Sequence, residues 1–294
     1  MNIMKRWSFV LFSIICLCTL CAEWITNDKP IIAISHGHIS FPAYFGRQNH
    51  PSDFAIWPPF KYGPHTLDYQ LASPAAPSAE HLLGTDDHGR DVFARLLYGL
   101  RISLMFGFLL AILGSIIGLI IGGIQGYFGG RVDIVMGRMI EVWASIPSLF
   151  LILILATPNF FSLLMVMLFF NWLSLANTIR AEFFRARSLD YVMAAQVLGV
   201  PPFKMIVKHM LPNAFIGVRS HFSFMVSLGL VQLASLNFLG FGLPFGTPSL
   251  GDLLFQAKDN LEAPWIGISI FVTMSFVLGL LIFMSEEFKY ADPR

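Results

Sequence analysis

Several groups of side chains along this 294-residue chain have types and spacings suited to chemistry. His36-Gly37-His38 presents two imidazoles at i and i+2. Without a third ligand they read as ordinary loop residues. Asp86, Asp87 and Asp91 form an acidic patch. The EF-hand spacing and its distant bidentate Glu are missing, so no metal is expected there. His221 is the one histidine inside an apolar run, with Ser220, Ser223 and Ser227 beside it. A serine nucleophile needs an adjacent base oriented by a third group, and no recognisable frame of that kind surrounds it. An intramembrane hydrolase or a membrane scaffold is therefore the remote alternative, and no catalytic residue is expected. Direct use of ATP needs a phosphate loop ending in Gly-Lys. No lysine here follows a glycine, so this chain is expected to be no enzyme and to bind no cofactor itself.

The elements that must position these residues are membrane spans. Only 13% of residues are charged and 55% are hydrophobic, whereas soluble proteins average roughly 25% charged. The net charge of +1 leaves no basic excess for phosphates, which argues against nucleic acid. Cys16, Cys18 and Cys21 all fall in the first apolar run, which excludes a disulfide scaffold. A charge at mid-bilayer costs at least ~2.5 kcal/mol, so charge-free windows locate the spans. These windows hold 16 residues after Arg6, 29 after Arg101, 38 after Glu141, 32 after Arg219 and 23 after Glu262. One span takes about 20 residues. The longest window breaks at Thr157-Pro158-Asn159. Six transmembrane helices follow, near residues 7–23, 102–126, 138–157, 160–179, 217–239 and 264–285. The first window, preceded by Lys5-Arg6, is short enough for a signal peptide. Trp7 and Trp24 as interfacial anchors, and a poor cleavage site, favour a retained helix.

The expected fold class is thus an all-α integral membrane protein. It divides into an N-terminal transmembrane helix (1–23), an extracytoplasmic loop with an amphipathic entrance helix (24–101), and a core of five transmembrane helices (102–294). With the N-terminus inside, 12 of the 19 Lys and Arg lie on the inner side, and the basic loop 180–216 dominates that count. With acids included, the inner side carries +5 and the outer −4. Both termini are then cytoplasmic, with a short inner stretch near 127–137. Residues 24–101 and 240–263 face outward. In the long outer loop Pro51, Pro58-Pro59, Pro64, Pro74 and Pro77 predict irregular backbone. Thr85 or Asp86 is expected to cap a surface helix starting near Asp87–Arg90.

Within loop 180–216, Asp190 can cap a helix over Tyr191–Leu198, and Gly199 stands where a left-handed C-terminal residue belongs. Pro202 suits the first turn of a second helix. Phe203, Ile206, Val207 and Met210 form its apolar face, opposite Lys204 and Lys208. Pro212 is expected to end it. Two short helices with an apolar side need a surface to cover it, and another protein's groove is one candidate. The span interiors lack Asp, Glu, Lys and Arg, which disfavours proton or sodium coupling. Energy for uphill transport must then enter from a separate subunit.

Ala194-Ala195, Gly199 and His209-Met-Leu-Pro212-Asn213 resemble the EAA loop of permease subunits in bacterial ABC importers. Gly84-Thr85-Asp86, Gly89-Arg90-Asp91 and Arg95-Leu-Leu-Tyr98-Gly99 resemble the second-span entrance of the oligopeptide/dipeptide/nickel permease family. Gly126-Tyr-Phe-Gly129-Gly130 with Asp133, Pro147-Ser148, Ser235-Leu-Asn-Phe-Leu239-Gly240-Phe-Gly242, Pro248-Ser249-Leu-Gly251, Pro264-Trp265 and Asp292-Pro293-Arg294 also match it. Asn27-Asp28-Lys29-Pro30, the long outer loop and Asn237–Pro244 look most like the YejE-type peptide permeases. The resemblance is dense over residues 80–294. It implies a type I ABC importer permease fold in the bacterial inner membrane and transport of oligopeptides or microcin-like peptides. Nickel or another small solute is the alternative cargo. It also implies a heteromer with a second permease, one or two cytoplasmic ATPase subunits holding ATP-Mg, and an extracytoplasmic binding protein. Asp190, Tyr191, Ala194, Ala195, Gly199, Lys204, His209, Pro212 and Asn213 become the ATPase-coupling residues. Where the family usually has Glu before the alanine pair, this chain has Met193, with Asp190 as the nearest carboxylate. Substrate-contacting residues stay unassigned. Gly114, Ser115, Ser145, Ser227 and Gln232 are candidates either to line the pathway or to pack helices.

Overall fold

The computed structural model describes residues 2–35, 38–45, 54–155 and 157–290. His36-Gly37, Pro51 and Asp292-Pro293-Arg294 lie outside the described residues. In chain order the elements begin with α1 (Asn2–Leu20), α2 (Ala22–Ile25), β1 (Ile32–Ser35), β2 (His38–Ser40), α3 (Pro42–Phe45) and β3 (Phe54–Ile56). Then come α4 (Val92–Phe128), α5 (Gly130–Ala144), α6 (Ser148–Leu155), α7 (Phe160–Arg187) and α8 (Asp190–Val197). The chain ends with α9 (Pro202–Lys204), a π-helical turn (Met205–Met210), α10 (Leu211–Phe238), α11 (Leu250–Asp259) and α12 (Pro264–Tyr290). The residues form two compact units. One comprises Met1–Ser8, Phe106–Val231 and Gly279–Arg294, the other Phe9–Met105 and Gln232–Leu278.

Among the described residues, four helical stretches are long and apolar enough to cross a bilayer: Val92–Phe128, Phe160–Arg187, Gly217–Phe238 and Pro264–Glu286. The pair α5 and α6, bent by 65°, supplies a fifth. The described residues do not confirm the expected count of six. The apolar stretch of α1, Trp7–Leu20, is shorter than the ~20 residues of a full crossing. Helix α4 starts at Val92 and not near 102, because Arg95 and Arg101 are paired with Asp252 and Glu23 at 2.6 Å and do not halt the helix. The inner stretch 127–137 shrinks to a turn at Gly129, whose φ is +61°. The third span is two helices. Pro147 lacks the amide that would continue α5 and marks the bend. Pro212 does not end its helix either. The chain stays helical from Pro202 to Phe238, and the wide π turn just before Pro212 makes room for a ring that would otherwise clash with the preceding turn.

In the first unit α4 packs on α7 with almost no space between backbones. A Cβ on Gly122 would lie 2.3 Å from the Ala176 carbonyl oxygen. Gly118, Gly122 and Gly126, spaced by four, give α4 the small-residue face that membrane helices use for close approach. In the second unit the long loop before α4 is not wholly irregular. It contains a three-stranded antiparallel sheet in the order β2-β1-β3, with Ala33 opposite Ser40 and Ala55. The segment between α10 and α12 holds α11, whose N-cap Ser249 accepts a hydrogen bond from the Asp252 amide at 3.1 Å.

Candidate functional site

The Gly84–Asp91 motif forms a buried ionic cluster in the second unit. Asp86, fully buried, accepts from the amides of His88 and Arg90 at 2.9 Å and from Arg90 Nε at 2.7 Å. Its Oδ2 is also 3.4 Å from Arg95 Nε. Arg95, equally buried, donates to Asp252 Oδ2 at 2.6 Å and to the Pro64 carbonyl at 3.3 Å. Gly84 and Gly89 have φ of +74° and +79°, which lets the loop turn tightly around Asp86. Thr85 accepts from the Ala75 amide, and its carbonyl accepts from the Trp265 indole at 3.2 Å. The helix expected to start near Asp87–Arg90 starts at Val92 and continues without a break as α4; residues 81–91 form turns, and its cap is Asp91, not Thr85 or Asp86. Asp91 Oδ1 accepts from the Ala94 amide at 2.7 Å. Asp86 cannot cap, because its carboxylate is already engaged by guanidinium groups and loop amides.

A second set of side chains extends from that cap. His81, buried, meets Asp91 Oδ2 through Nδ1 at 2.8 Å and Asp68 Oδ2 through Nε2 at 3.3 Å. Its ring lies against Tyr62 with centroids 4.2 Å apart. Burial pushes the Asp91 carboxyl above the usual range, against the pull of the Ala94 amide and His81. Asp68 is held below its usual value, first by the Gln70 amide and then by His81. Ligand atoms of Asp86, Asp87 and His88 lie within 4.8 Å of one another. Asp86 already faces two guanidinium groups, so this is an ion-pair arrangement and not an open donor set.

The loop in the first unit is built differently. Leu189, with no side-chain cap bond, precedes α8; Asp190 is the first residue of the helix and not its cap. There its carboxylate still favours the positive end of the helix dipole. Gly199 has φ +74° and open space around it, as expected of a helix-terminating residue. Pro202 occupies the first turn of α9, after Pro201. Val192 and Ala195 face inward with Met205 and Met210, while Ala194 and Met193 face outward. The alanine pair therefore points two ways. Tyr191 fixes the corner: its hydroxyl donates to the His209 carbonyl at 3.2 Å and accepts from Asn213 Nδ2 at 2.8 Å. Lys204 and Pro212 are exposed. The outermost groups are Val197, Leu198 and Phe203, at 89%, 82% and 78% exposure.

The other sequence candidates are occupied locally. Ser220 donates to the Gly217 carbonyl and Ser227 to the Ser223 carbonyl, whereas His221 Nε2 has no hydrogen-bond partner. No Ser–His dyad forms. Ser115 contacts Met225 Sδ at 3.7 Å, and a Cβ on Gly114 would meet Met225 as well. Ser145 donates to the Glu141 carbonyl, and Gln232 is exposed. Sequence reasoning missed Arg95, His81, Asp68 and Asp252 as cluster members. The Asp91-x-x-Ala94 and Ser249-x-x-Asp252 spacings are cap signals from which α4 and α11 could have been placed.

Several apolar helices long enough to cross a bilayer suit a membrane transport subunit, and comparison with known proteins agrees. The profile of the family described as binding-protein-dependent transport system inner membrane component matches residues 114–286. The chain is 41% identical to the inner membrane ABC transporter permease protein YejE of Escherichia coli (strain K12), over 98% of this chain and 93% of that protein. It is 40% identical to the peptidoglycan transport system permease protein YejE of Agrobacterium fabrum, over 98% of this chain and 89% of that one. It is 35% identical to the oligopeptide transport system permease protein OppC of Haemophilus influenzae, over 80% and 77% of the two chains. This chain belongs to the binding-protein-dependent ABC permease family and is a multi-pass inner-membrane permease subunit.

Proposed function

We propose that this chain forms the translocation pathway of an ATP-driven peptide importer together with a second permease, with both termini cytoplasmic. A cytoplasmic ABC ATPase, which holds the ATP-Mg, docks on the corner made by α8, Gly199 and α9. An extracytoplasmic binding protein delivers the cargo. The observation that carries this reading is the corner: three large apolar side chains stand out at a fixed bend in a basic loop, where water alone would not favour them. Ala194 and Gly199 leave room for a close-fitting partner, and Ala195 packs inward to support it. Asp190 and Lys204 flank the contact, while Tyr191, His209 and Asn213 hold its shape and Pro212 follows the π turn. Peptide is the proposed cargo because the relatives named for a cargo include oligopeptide and dipeptide permeases. Gly84, Thr85, Asp86, Gly89, Arg90 and Asp91 act as the framework that sets the start of α4.

The test is reconstitution of the complete complex in lipid vesicles, with ATP-dependent uptake of short peptides measured against nickel and sugars. Peptide uptake alone is the expected result. Uptake of nickel alone overturns the cargo, and no uptake of any solute overturns the importer. A cysteine at Ala194, with Cys16, Cys18 and Cys21 changed to serine, is expected to cross-link to the ATPase. Absence of that product in an active complex counts against the docking surface.

A further inference from the structure

We propose that Asp133 and Arg180 form a strut that carries movement of the coupling loop into the bent span α5–α6, with Arg187 and Gln125 completing the grip. The inference rests on the reading of residues 190–213 as the ATPase contact. Arg180 stands two turns before the end of α7, and that end leads through Ser188-Leu189 directly into α8. Its guanidinium pairs with Asp133 in the bidentate manner, Nε to Oδ1 and Nη2 to Oδ2, the latter at 2.7 Å. Two parallel bonds fix an angle as well as a distance, which a single ammonium contact cannot do. Asp133 lies in the first turn of α5.

The elbow between α4 and α5 is held at further points. Gln125 Nε2 donates to the Asp133 carbonyl at 3.2 Å. Arg187 Nη1 covers Gly129, so closely that a Cβ there would lie 2.6 Å from it. Arg180 and Arg187 are seven residues apart, two turns of one helix, and so grip the elbow from the same face. Backbone packing makes this grip rigid: a Cβ on Gly126 would lie 2.8 Å from the Arg180 carbonyl oxygen. The compliant place is at the other end of α5. There the chain bends 65° into α6 over a wholly apolar cavity of about 180 Å³ lined by Trp143, Ile146, Leu151, Leu155, Val166 and Phe169. Trp143 bridges the bend to α7 by donating to the Phe169 carbonyl at 2.8 Å. A push on α8 thus enters α5 through a stiff elbow and is taken up at a bend with space beneath it. Arg180 and Asp133 act through the helices and are positioning residues; neither is assigned to cargo.

The experiment measures ATP hydrolysis and peptide uptake together in vesicles holding the complete complex. Asp133→Asn and Arg180→Lys are each expected to lower uptake per ATP about fivefold, the factor of a partly exposed charged pair, while hydrolysis persists. Exchanging the two charges, Asp133→Arg with Arg180→Asp, is expected to restore most of the uptake. An unchanged ratio in the single variants overturns the strut. So does a parallel fall of uptake and hydrolysis without rescue by the exchange, since that is the signature of a purely structural pair. Wild-type vesicles that take up no solute overturn the importer reading itself, a result separable from either.

Discussion

The ionic cluster around Asp86 and Arg95 and the helical corner at Gly199 treat polar and apolar groups in opposite ways. In the cluster, Arg95, Asp86 and His81 are removed from water and matched with partners drawn from distant parts of the chain, Asp252 being 157 residues from Arg95. In the corner, the charged groups face water and the large apolar side chains are the ones left without cover. A buried ion pair gains little net stability but is costly to break, so it enforces one geometry. An uncovered apolar corner adds little to the chain's own stability and leaves its burial for a partner. Damage to the first should therefore appear as loss of the protein. Damage to the second should appear as loss of transport by a protein that is still present.

The largest expected effect is on the cluster. Arg95→Met leaves Asp86 with Arg90 alone and deprives the partly exposed Asp252 of its guanidinium partner; breaking a fully buried pair costs about 3–5 kcal/mol, which is the upper bound here. Thermal unfolding of the detergent-solubilised chain should drop steeply, with little protein recovered from membranes. Normal stability in that variant would remove the structural role assigned to the cluster.

At the corner the prediction has the opposite form. Phe203→Ser and Leu198→Ser change exposed side chains, so stability should move by no more than about 0.5 kcal/mol. If the corner is an interface centre, uptake should fall about thirtyfold, the cost of losing a contact worth ~2 kcal/mol. Gly199→Asp should abolish uptake with the protein still in the membrane. The space around Gly199 is open and Asp tolerates a left-handed backbone, so a folding failure is not its expected fate. Normal uptake in these variants would separate the corner from coupling. A smaller effect is expected for Tyr191→Phe. It deletes the hydroxyl that joins His209 and Asn213, a loss of about 1 kcal/mol that loosens the corner without changing its surface.

The two regions also differed in how far they could be read from sequence. The corner was legible because its signals are local. A helix start, a left-handed glycine and a proline in the next first turn occur within thirteen residues, Asp190 to Pro202. The cluster was not legible. Arg101, the edge of a charge-free window, set the span start at 102 and left Arg95 outside it, whereas Arg95 is buried in the helix and paired with Asp252, 157 residues on. Asp86 has a good cap type but its carboxylate is committed elsewhere, which left the cap to Asp91. Pro212 misled for a related reason: the π turn that accommodates it depends on packing of Met205 and Met210, which no propensity encodes. The spans were located by charge, but their helices run past the windows wherever a boundary charge has a partner.

The smallest expected effect tests the two carboxylates that face His81. A neutral imidazole has one donor and one acceptor nitrogen, yet both His81 nitrogens face carboxylate oxygens. The flanking acids respond to pH with opposite sign. Asp68 has a lowered pKa, so its contribution is complete above its unfolded value of ~3.9 and is lost as pH falls through the lowered value. Asp91 has a raised pKa, so its contribution is complete below ~3.9 and is lost as pH rises through the raised value. Asn also caps helices, so Asp91→Asn keeps the start of α4 while removing the titration. Between pH 7 and 4 the stability of the wild type relative to Asp91→Asn should increase as the medium is acidified. Relative to Asp68→Asn it should stay level and then decline below about pH 4. Each difference should amount to about 2 °C in midpoint. Slopes of the same sign in both comparisons would show that the two carboxylates share one environment, and would undo the division between a partly exposed Asp68 and a buried Asp91.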